Sequence, residues 1–280
     1  MQHIVLSLLL RHKANMKENP IPDYNHVSDY APFFEIDAHW EQQGPELASS
    51  VRENHARLGT RVFNTHLRFD MLPKGGGGGG RFIYLIRSPL DTCVSFYHHL
   101  VHQVEGGYEG TFAQFFQDWI RGNIAFGSWI HHILSYALAF ANGEKEQSST
   151  SQVTLGDGRK ILLVSYEEMI ADLPGVVFHL QEFLELNVTP EQREEMIPSF
   201  SFQSMKEDLG RFQPQSVQWK NGFMFLRKGV AGDSWAIVSE QQRKDFGKWV
   251  DREKLEEILS QLLAESNPQV FHKMVSPLAL

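Results

Sequence analysis

The sequence predicts an α/β fold in which a parallel sheet lies between helical layers, as a three-layer sandwich. Three short apolar segments are typical of strands, residues 61–66, 82–86 and 160–166, and helix-forming segments separate them along the chain. Strands that alternate with helices pair in parallel through right-handed crossovers. With 280 residues, of which 42% are hydrophobic, the chain can bury one substantial core. We therefore expect a single domain over residues 1–280.

Composition and charge argue against several classes of partner. The formal net charge is −8 and the pI is about 5.9, and the sequence has no block rich in lysine and arginine. A nucleic-acid or anionic-membrane partner is therefore not expected. Cys93 is the only cysteine, which excludes an internal disulfide and fits a reducing compartment. We therefore expect a cytoplasmic protein.

The first element is a helix over residues 1 to about 17. Its apolar stretch, residues 4–10, is too short to span a bilayer. No basic segment precedes it and no small-residue cleavage site follows it, so we expect a buried core helix, with a secretory signal as the alternative. Prolines break the chain before the strand at residues 61–66. The glycine tract within residues 74–80 lacks the lysine and hydroxyl of a phosphate-binding loop and predicts a linker.

The second predicted strand leads directly into a helix, and this junction is the strongest candidate for a site. The strand is apolar throughout and should be buried on both faces. Ser88 is a candidate helix cap, Pro89 fits the first helical position, and Asp91 adds a carboxylate. Arg87 at the junction and Ser95 two turns into the helix could join the helix N-terminus in binding a phosphate-like anion. The alternative is that Arg87 only ends the strand and pairs with Asp91.

The later elements are predicted from the same patterns. Helices are expected over residues 89–101, 111–122 and 128–140, where apolar positions recur at helical spacing. Residues 142–159 are polar and predict a surface insertion. The third strand ends at Tyr166, followed by an acidic helix start, and the remainder of the chain is helical with irregular links.

Two further clusters carry groups suited to chemistry. Thr65 and His66 lie where the first predicted strand ends, at the edge where such sheets bind ligands. A histidine there can accept a proton from a hydroxyl, although it could also be a structural residue, since the chain has 13 histidines. Arg227 and Lys228 precede Gly229, so this loop could close over an anion. The alternative is a solvated basic pair.

The strand-to-helix junction resembles a motif of the cytosolic sulfotransferase family. Residues 87–98, RSPLDTCVSFYH, are similar to the signature with which these enzymes hold the 3′-phosphate of their cofactor, 3′-phosphoadenylyl sulfate (PAPS). The resemblance implies that Arg87 and Ser95 bind this phosphate. Residues 225–233, FLRKGVAGD, resemble the C-terminal cofactor loop of the family. This implies further phosphate ligands at Arg227, Lys228 and Gly229.

Other segments extend the resemblance to the acceptor and the adenine. Residues 61–73, RVFNTHLRFDMLP, resemble the segment that holds the catalytic base of the family, which implies that His66 deprotonates the acceptor and that Asn64 and Thr65 contact the substrate. The family usually has a lysine at the position of Asn64. Tyr166 matches a tyrosine that hydrogen-bonds the adenine. The other implied contacts are Ser201, Phe202 and Met205 at the adenine, and Phe33, Phe34 and Ile36 at the acceptor. Each of these could instead be a packing residue.

The resemblance implies an enzyme that moves a sulfuryl group from PAPS to a small alcohol, phenol or amine and releases 3′,5′-ADP (PAP). The implied fold is like that of P-loop nucleotide-binding domains, and no metal is required. His98, His99 and His102 share helical spacing, but no further ligand completes a zinc site in the sequence. The alternatives are a non-catalytic PAP-binding protein and a P-loop kinase relative that uses ATP and magnesium, for which the Walker lysine and hydroxyl pair is missing.

The resemblance covers residues 1 to about 250 but not every family motif. The first strand of the family and its Pro-Lys-Ser-Gly-Thr-Thr-Trp loop, which grips the 5′-phosphosulfate, have no counterpart in the sequence. We therefore expect the first strand of the sheet to be missing and the sequence to be a fragment or to begin at a misassigned start. The dimerisation motif Lys-(x)3-Thr-Val-(x)3-Glu retains only Val238, so dimerisation by that route is not expected.

Overall fold

The structure is a computed structural model that describes residues 1–16, 23–35, 47–74, 79–145, 151–220 and 222–278. The chain divides into two compact units. The first unit comprises Met1–His66, Gln103–Glu105 and Asp172–Gly229, and the second comprises Leu67–His102, Gly106–Ala171 and Val230–Leu280. Each unit has a hydrophobic cluster of its own, which includes Leu6 and Leu58 in the first unit and many buried aromatic side chains in the second.

The second unit contains the sheet. Its strands are β1 (Arg81–Ile86), β2 (Glu144–Lys145), β3 (Gln152–Thr154) and β4 (Lys160–Ser165), in the order β1-β4-β3-β2. β1 and β4 pair in parallel in the register Arg81 to Lys160, whereas β3 pairs with β4 and β2 with β3 in antiparallel fashion. The predicted α/β fold with parallel pairing is confirmed, and the sheet as a whole is mixed.

The two parallel strands differ in burial, and only β1 departs from the prediction. All residues of β4 after Lys160 are buried, because β4 has a hydrogen-bonded neighbour on each side. β1 lies at the edge of the described sheet, and its Leu85 is 37% exposed. The prediction that this strand is buried on both faces was therefore wrong for Leu85, although Tyr84 and Ile86 are buried as expected.

The polar segment at residues 142–159 does not form a simple surface insertion. Its described part supplies β2 and β3, which extend the sheet beyond β4. Val153 is fully buried and Leu155 nearly so, because the apolar side chains within this polar stretch point into the core while the antiparallel ladder satisfies the backbone groups. Two strands were thus missed in the sequence.

The segment at residues 61–66, predicted to be a strand, is not one. It lies in the first unit and, among the residues that the structure describes, makes one isolated parallel bridge, between Phe33 and Asn64. The Asn64 N–H donates to the Pro32 carbonyl at 3.0 Å, and the Phe34 N–H donates to the Asn64 carbonyl at 2.7 Å. Pro32 has no N–H group, so the ladder cannot continue in that direction.

The helices confirm most of the predicted elements. In the first unit they are α1 (Gln2–Asn15), α2 (Ser49–Leu58), α7 (Leu173–Leu184), α8 (Pro190–Met196), α9 (Phe202–Glu207) and α10 (Leu209–Phe212). In the second unit they are α3 (Pro89–Val101), α4 (Phe112–Arg121), α5 (Trp129–Ala141), α6 (Tyr166–Ala171), α11 (Glu240–Arg252), α12 (Leu255–Leu263) and α13 (Pro268–Val275). The described residues also form short 3-10 turns, among them Phe69–Met71 and Asp233–Ala236.

Local sequence signals explain where several helices begin. Thr111 and Gln114 form a capping box at the start of α4, and Gly122 ends that helix in the left-handed conformation. Ser128 caps α5. α1 buries Ile4, Leu6 and Leu8, as predicted for a core helix. Within the described residues, no helix combines the length and the apolar character needed to cross a bilayer.

Candidate functional site

The junction of β1 and α3 is built as the sequence predicts, except for its cap. Pro89 is the first residue of α3 and Ser88 takes the N-cap position, but the Ser88 hydroxyl makes no capping hydrogen bond. The Glu167 carboxylate accepts the Ser88 N–H at 3.0 Å, and the Ser88 carbonyl accepts the Thr92 hydroxyl at 2.8 Å. The predicted side-chain cap was therefore wrong. The backbone of Ser88, held between Glu167 and Thr92, supports the turn instead.

The Arg87 guanidinium contacts three groups within the second unit. It lies over the ring of Tyr166 at 4.5 Å, its Nη2 donates to the Val230 carbonyl at 3.3 Å, and Nη2 is 3.8 Å from Asp91 Oδ2. The pairing with Asp91 that the sequence left open is thus present, although it is long. A guanidinium has five N–H donors, and these polar contacts all engage Nη2. The N–H donors of Nη1, the other terminal nitrogen, are suited to binding an anion.

Asp91 has a role that the sequence did not predict. Its side chain is 1% exposed, and it accepts the N–H groups of Gly232 at 2.6 Å and of Ser234 at 2.8 Å. These bonds fasten residues 230–234, which we call the latch loop, to the first turn of α3. The only sequence signal was a carboxylate in the first turn, which equally suits the helix dipole. The partners lie more than 140 positions away, so no local pattern could identify them.

Two further predicted ligands of the second unit lie near this junction. Tyr166 begins α6 directly after β4, and burial raises the pKa of its phenol. Arg87 and Tyr166, both predicted to bind the cofactor, are therefore brought together. Ser95 is half-buried and follows Asp91 by four residues, so both lie on the same face of α3.

A cavity of about 210 Å³ opens at the carboxyl ends of β1 and β4, where ligands bind in open α/β sheets. Arg87 and Ser95 do not line it. A larger groove of about 670 Å³ lies between α5 and residues 155–159 and contains none of the predicted site residues. The size of a cavity therefore does not select the predicted site residues. The smaller cavity is lined in part by Ser88, Asp91, Ser165, Glu167, Gly232 and Trp235.

In the first unit, the predicted adenine contacts meet the predicted phosphate loop. Ser201 caps α9, and its hydroxyl accepts the Ser204 N–H at 3.1 Å. Gly229 has a φ of +67° and lies so close to the ring of Phe202 that a Cβ at this position would overlap it. Two segments that the sequence assigned separately to the cofactor are thus packed together. Only glycine satisfies both the backbone and the close approach.

The other predicted residues of that segment surround this contact in the chain. Met205 lies one turn into α9, where its N–H donates to the Ser201 carbonyl at 3.0 Å. Arg227 is half-buried and Lys228 is exposed. A backbone with positive φ preceded by two cations presents side-chain and backbone donors in a short stretch, which fits a phosphate group.

The predicted base and acceptor residues form a second cluster in the first unit. The ring of Phe33 meets the imidazole of His66 edge-on, with centroids 4.8 Å apart, and Phe34 packs edge-on against Phe63 at 5.4 Å. Asn64 supplies the backbone bridge to Phe33. Ile36, the third predicted acceptor residue, lies outside the described residues.

Glu35 joins this cluster, although the sequence gave no reason to select it. Its Oε1 accepts the Thr65 hydroxyl at 2.9 Å and the His66 backbone N–H at 2.6 Å. His66 keeps substantial accessible surface, yet desolvation by the surrounding protein lowers the pKa of its imidazole to about 4. The ring is therefore neutral at pH 7, which is the form that can accept a proton.

The predicted site residues thus form three local clusters. The second unit holds Arg87, Ser95 and Tyr166. The first unit holds the base cluster around His66 and the loop cluster around Gly229 and Phe202. The contacts within these clusters are findings of the structure, namely a guanidinium over an aromatic ring, a neutral histidine, and a glycine packed against an aromatic ring.

Comparison with known proteins adds independent information. A family model described as "Sulfotransferase domain" matches residues 1–266. The 3-beta-hydroxysteroid sulfotransferase of Cavia porcellus is 27% identical over 226 residues, which are 79% of this chain and 69% of that protein. Luciferin sulfotransferase of Photinus pyralis is 27% identical over 74% of this chain and 54% of that protein. Sulfotransferase 2A1 of Macaca fascicularis is 30% identical over 68% of this chain and 62% of that protein. The matches thus span between 54% and 69% of these relatives' own lengths.

Solved structures share the fold. Mouse sulfotransferase SULT7A1 complexed with PAP superposes with a TM-score of 0.57 at 21% identity, covering 90% of this chain and 79% of that chain. Retinol dehydratase in complex with androsterone and inactive cofactor PAP gives a TM-score of 0.63 at 20% identity, covering 90% of this chain and 76% of that chain. At this identity the superpositions establish the fold, and it is the fold that the motifs predicted.

Proposed function

The chain belongs to the sulfotransferase family, and from this premise we propose that it transfers a sulfuryl group from PAPS to the hydroxyl or amine of a small acceptor. The match to the family model over residues 1–266 supports this proposal. So does the agreement between the family motifs and the three clusters. The acceptor is an alcohol, phenol or amine, and the reaction takes place in the cytoplasm.

The observation that carries the proposal is the set of contacts made by Arg87. Its guanidinium rests on Tyr166 and donates to the carbonyl of Val230, the residue that directly follows the segment Arg227-Lys228-Gly229 in the sequence. We assign Arg87 and Ser95, together with that segment, to the 3′-phosphate of the cofactor. Planar guanidinium groups and backbone N–H donors are the groups that bind phosphate in proteins. The adenine is assigned to Tyr166, Ser201, Phe202 and Met205.

His66 is the general base of the proposed reaction. PAPS supplies the sulfuryl group and PAP is the leaving group. His66 takes the acceptor's proton as the acceptor oxygen or nitrogen bonds to sulfur, while the bond from sulfur to the phosphate oxygen breaks and its electron pair stays on PAP. Because the pKa of His66 is lowered to about 4 by desolvation, the base is in its neutral form throughout the physiological range.

The acceptor pocket is assigned to Phe33, Phe34, Ile36, Asn64 and Thr65. Aromatic side chains beside the base favour an apolar acceptor that carries a reactive hydroxyl. One relative is named for 3-beta-hydroxysteroids, and one neighbour was solved with androsterone, so a sterol-like acceptor is the first class to test.

The test is sulfuryl transfer from labelled PAPS to a panel of phenols and sterols, with His66→Ala beside the wild-type chain. We expect kcat to fall about a hundredfold or more in His66→Ala, the usual contribution of a general base. The matched control is His131→Ala, which removes an exposed histidine of α5. In the wild type, activity should stay level as the pH drops through the ordinary histidine pKa of 6.5 and fall only as the pH approaches the His66 pKa of about 4, because protonation then removes the base. Equal rates in His66→Ala and the wild type would contradict this assignment.

Asn64 favours a second candidate, a PAP-binding protein without transferase activity. An asparagine amide is neutral, whereas the resemblance places a lysine at this position, and a cation stabilises charge on a transferring group much better than a neutral amide. This candidate predicts calorimetric binding of PAP with no product from labelled PAPS. It also predicts that Asn64→Lys introduces or raises transfer.

A further inference from the structure

The backbone of His66 is held by a side chain where a strand ladder would place a carbonyl. The Asn64 N–H donates to the Pro32 carbonyl, and the Phe34 N–H donates to the Asn64 carbonyl. In a parallel ladder the next bond would run from the His66 N–H to the Phe34 carbonyl. Instead, the His66 N–H donates to Glu35 Oε1 at 2.6 Å. The carboxylate therefore replaces the expected backbone acceptor.

The same carboxylate oxygen also holds the neighbouring residue. Glu35 Oε1 accepts the Thr65 hydroxyl at 2.9 Å, so one oxygen fixes two consecutive residues up to and including His66. Hydrogen bonds from neutral donors to an ionised carboxylate are stronger than bonds between neutral groups. The ring of Phe33, two residues before Glu35, meets the imidazole edge-on at an interplanar angle of 89°. The short segment at residues 33–35 thus fixes both the backbone and the ring of His66.

The burial of the second oxygen of Glu35 indicates that this arrangement costs free energy of desolvation. Oε2 is buried and has no hydrogen-bond partner among the described residues. A buried carboxylate oxygen without a partner is unfavourable.

We propose that Glu35 is a positioning residue for His66, the general base, and that Phe33 shares this role at the ring. The expected loss of rate rests on the proposed function. The expected effect of Glu35 on the backbone of His66 does not depend on that function. The backbone ladder ends at Asn64, and the Glu35 carboxylate holds the N–H of the base beyond that point. The reaction rate falls steeply when the base is displaced, because proton transfer needs atoms that are close and aligned.

The experiment uses the full chain with Glu35→Ala and Glu35→Gln. Glu35→Ala removes the acceptor, whereas Glu35→Gln retains a neutral carbonyl that can still accept the His66 N–H. Thr65→Val removes the second donor and leaves the bond to His66 in place. The matched control is Glu53→Ala, which removes an exposed carboxylate of α2 and should leave both readouts as in the wild type. Steady-state rates with labelled PAPS are measured together with hydrogen exchange of the His66 amide by NMR.

We expect kcat in Glu35→Ala to fall about tenfold or more with the KM for PAPS unchanged, because a misplaced base affects the chemical step and not donor binding. Glu35→Gln should recover part of this loss, and Thr65→Val should lose less than Glu35→Ala. The His66 amide should exchange about tenfold faster in Glu35→Ala than in the wild type.

The two readouts separate this inference from the proposed function. If the wild-type chain transfers no sulfuryl group but the His66 amide exchanges faster in Glu35→Ala, the transferase proposal fails and the positioning of His66 stands. An unchanged exchange rate in folded Glu35→Ala overturns the inference. An active chain whose kcat is the same in Glu35→Ala overturns it as well. If Glu35→Ala does not fold, the same comparisons are made on Glu35→Gln, with smaller expected changes of the same sign.

Discussion

Gly229 shows how one residue can be fixed by two independent constraints. Its φ of +67° lies in the left-handed region, and a Cβ at this position would overlap the ring of Phe202. An alanine would therefore meet backbone strain of about 1 kcal/mol or more and would also push the ring away. Because Phe202 and Gly229 are both assigned to the cofactor, this displacement should be visible in nucleotide binding.

We predict that Gly229→Ala weakens PAP binding about tenfold or more, as measured by calorimetry. Gly222→Ala is the matched control, since Gly222 has a φ of +81° but a Cβ there would meet no described atom within 4 Å. It carries the same backbone strain without the collision with Phe202. If both variants bind PAP equally well, the contact between Phe202 and Gly229 has no part in the site.

At the scale of elements, hydrogen bonds join the first turn of α3 to the latch loop, two segments of the second unit that are far apart in the chain. Asp91 is almost completely buried, and its two oxygens accept the N–H groups of Gly232 and Ser234. Removing the carboxylate would leave two backbone donors without their acceptor. The latch loop directly follows Arg227, Lys228 and Gly229 in the sequence, so its position bears on the proposed phosphate site.

We predict that Asp91→Ala lowers the free energy of unfolding by about 3 kcal/mol, because each lost charge-assisted hydrogen bond leaves a partly buried donor unpaired. Urea unfolding measures this. Asp70→Ala is the control, since it also removes an Arg–Asp pair, in this case with an Asp70 side chain that is 58% exposed, and should cost less than about 1 kcal/mol. Equal losses in the two variants would show that the Asp91 bonds to the latch loop contribute nothing beyond a surface ion pair.

The elements that the sequence predicted well are those with strong local signals. α3 begins at Pro89 as predicted, and α3 and α4 lie within a residue of the predicted ranges 89–101 and 111–122. The strand at residues 61–66 was predicted from an apolar pattern alone, and it failed because a strand also needs a partner with free N–H groups, which Pro32 does not supply. β3 was missed because three residues with one buried valine are too short to show a period.

The predicted site residues divided in the same way. Arg87, His66 and Gly229 stood out because their motifs carry a recognisable order of residue types. Glu35 and Asp91 did not, because their partners are 31 and 141 to 143 positions away in the chain. A carboxylate that accepts distant backbone N–H groups has no local sequence pattern, so only the folded chain reveals it.

At the scale of the whole molecule, the predicted cofactor ligands come from both units. Arg87, Ser95 and Tyr166 belong to the second unit, whereas Arg227, Lys228 and Gly229 belong to the first. The central claim of the proposed function is that these groups act on one ribose phosphate. If two cations bind the same phosphate, their contributions to binding are coupled, and the loss in the double variant differs from the sum of the single losses.

The most direct test is calorimetric titration of the full chain with PAP, in the wild type, Arg87→Ala, Arg227→Ala and the double variant. Arg193→Ala is the matched control, an arginine that also lies over an aromatic ring, that of Phe178 at 5.0 Å, and belongs to none of the three clusters. We predict that each single variant loses about tenfold or more in affinity for PAP, and that Arg193→Ala binds PAP like the wild type. In the double variant, the fold-loss of affinity should differ from the product of the two single fold-losses. Unchanged affinity in either Arg87→Ala or Arg227→Ala, or strictly additive losses in the double variant, would contradict the claim that one phosphate is shared.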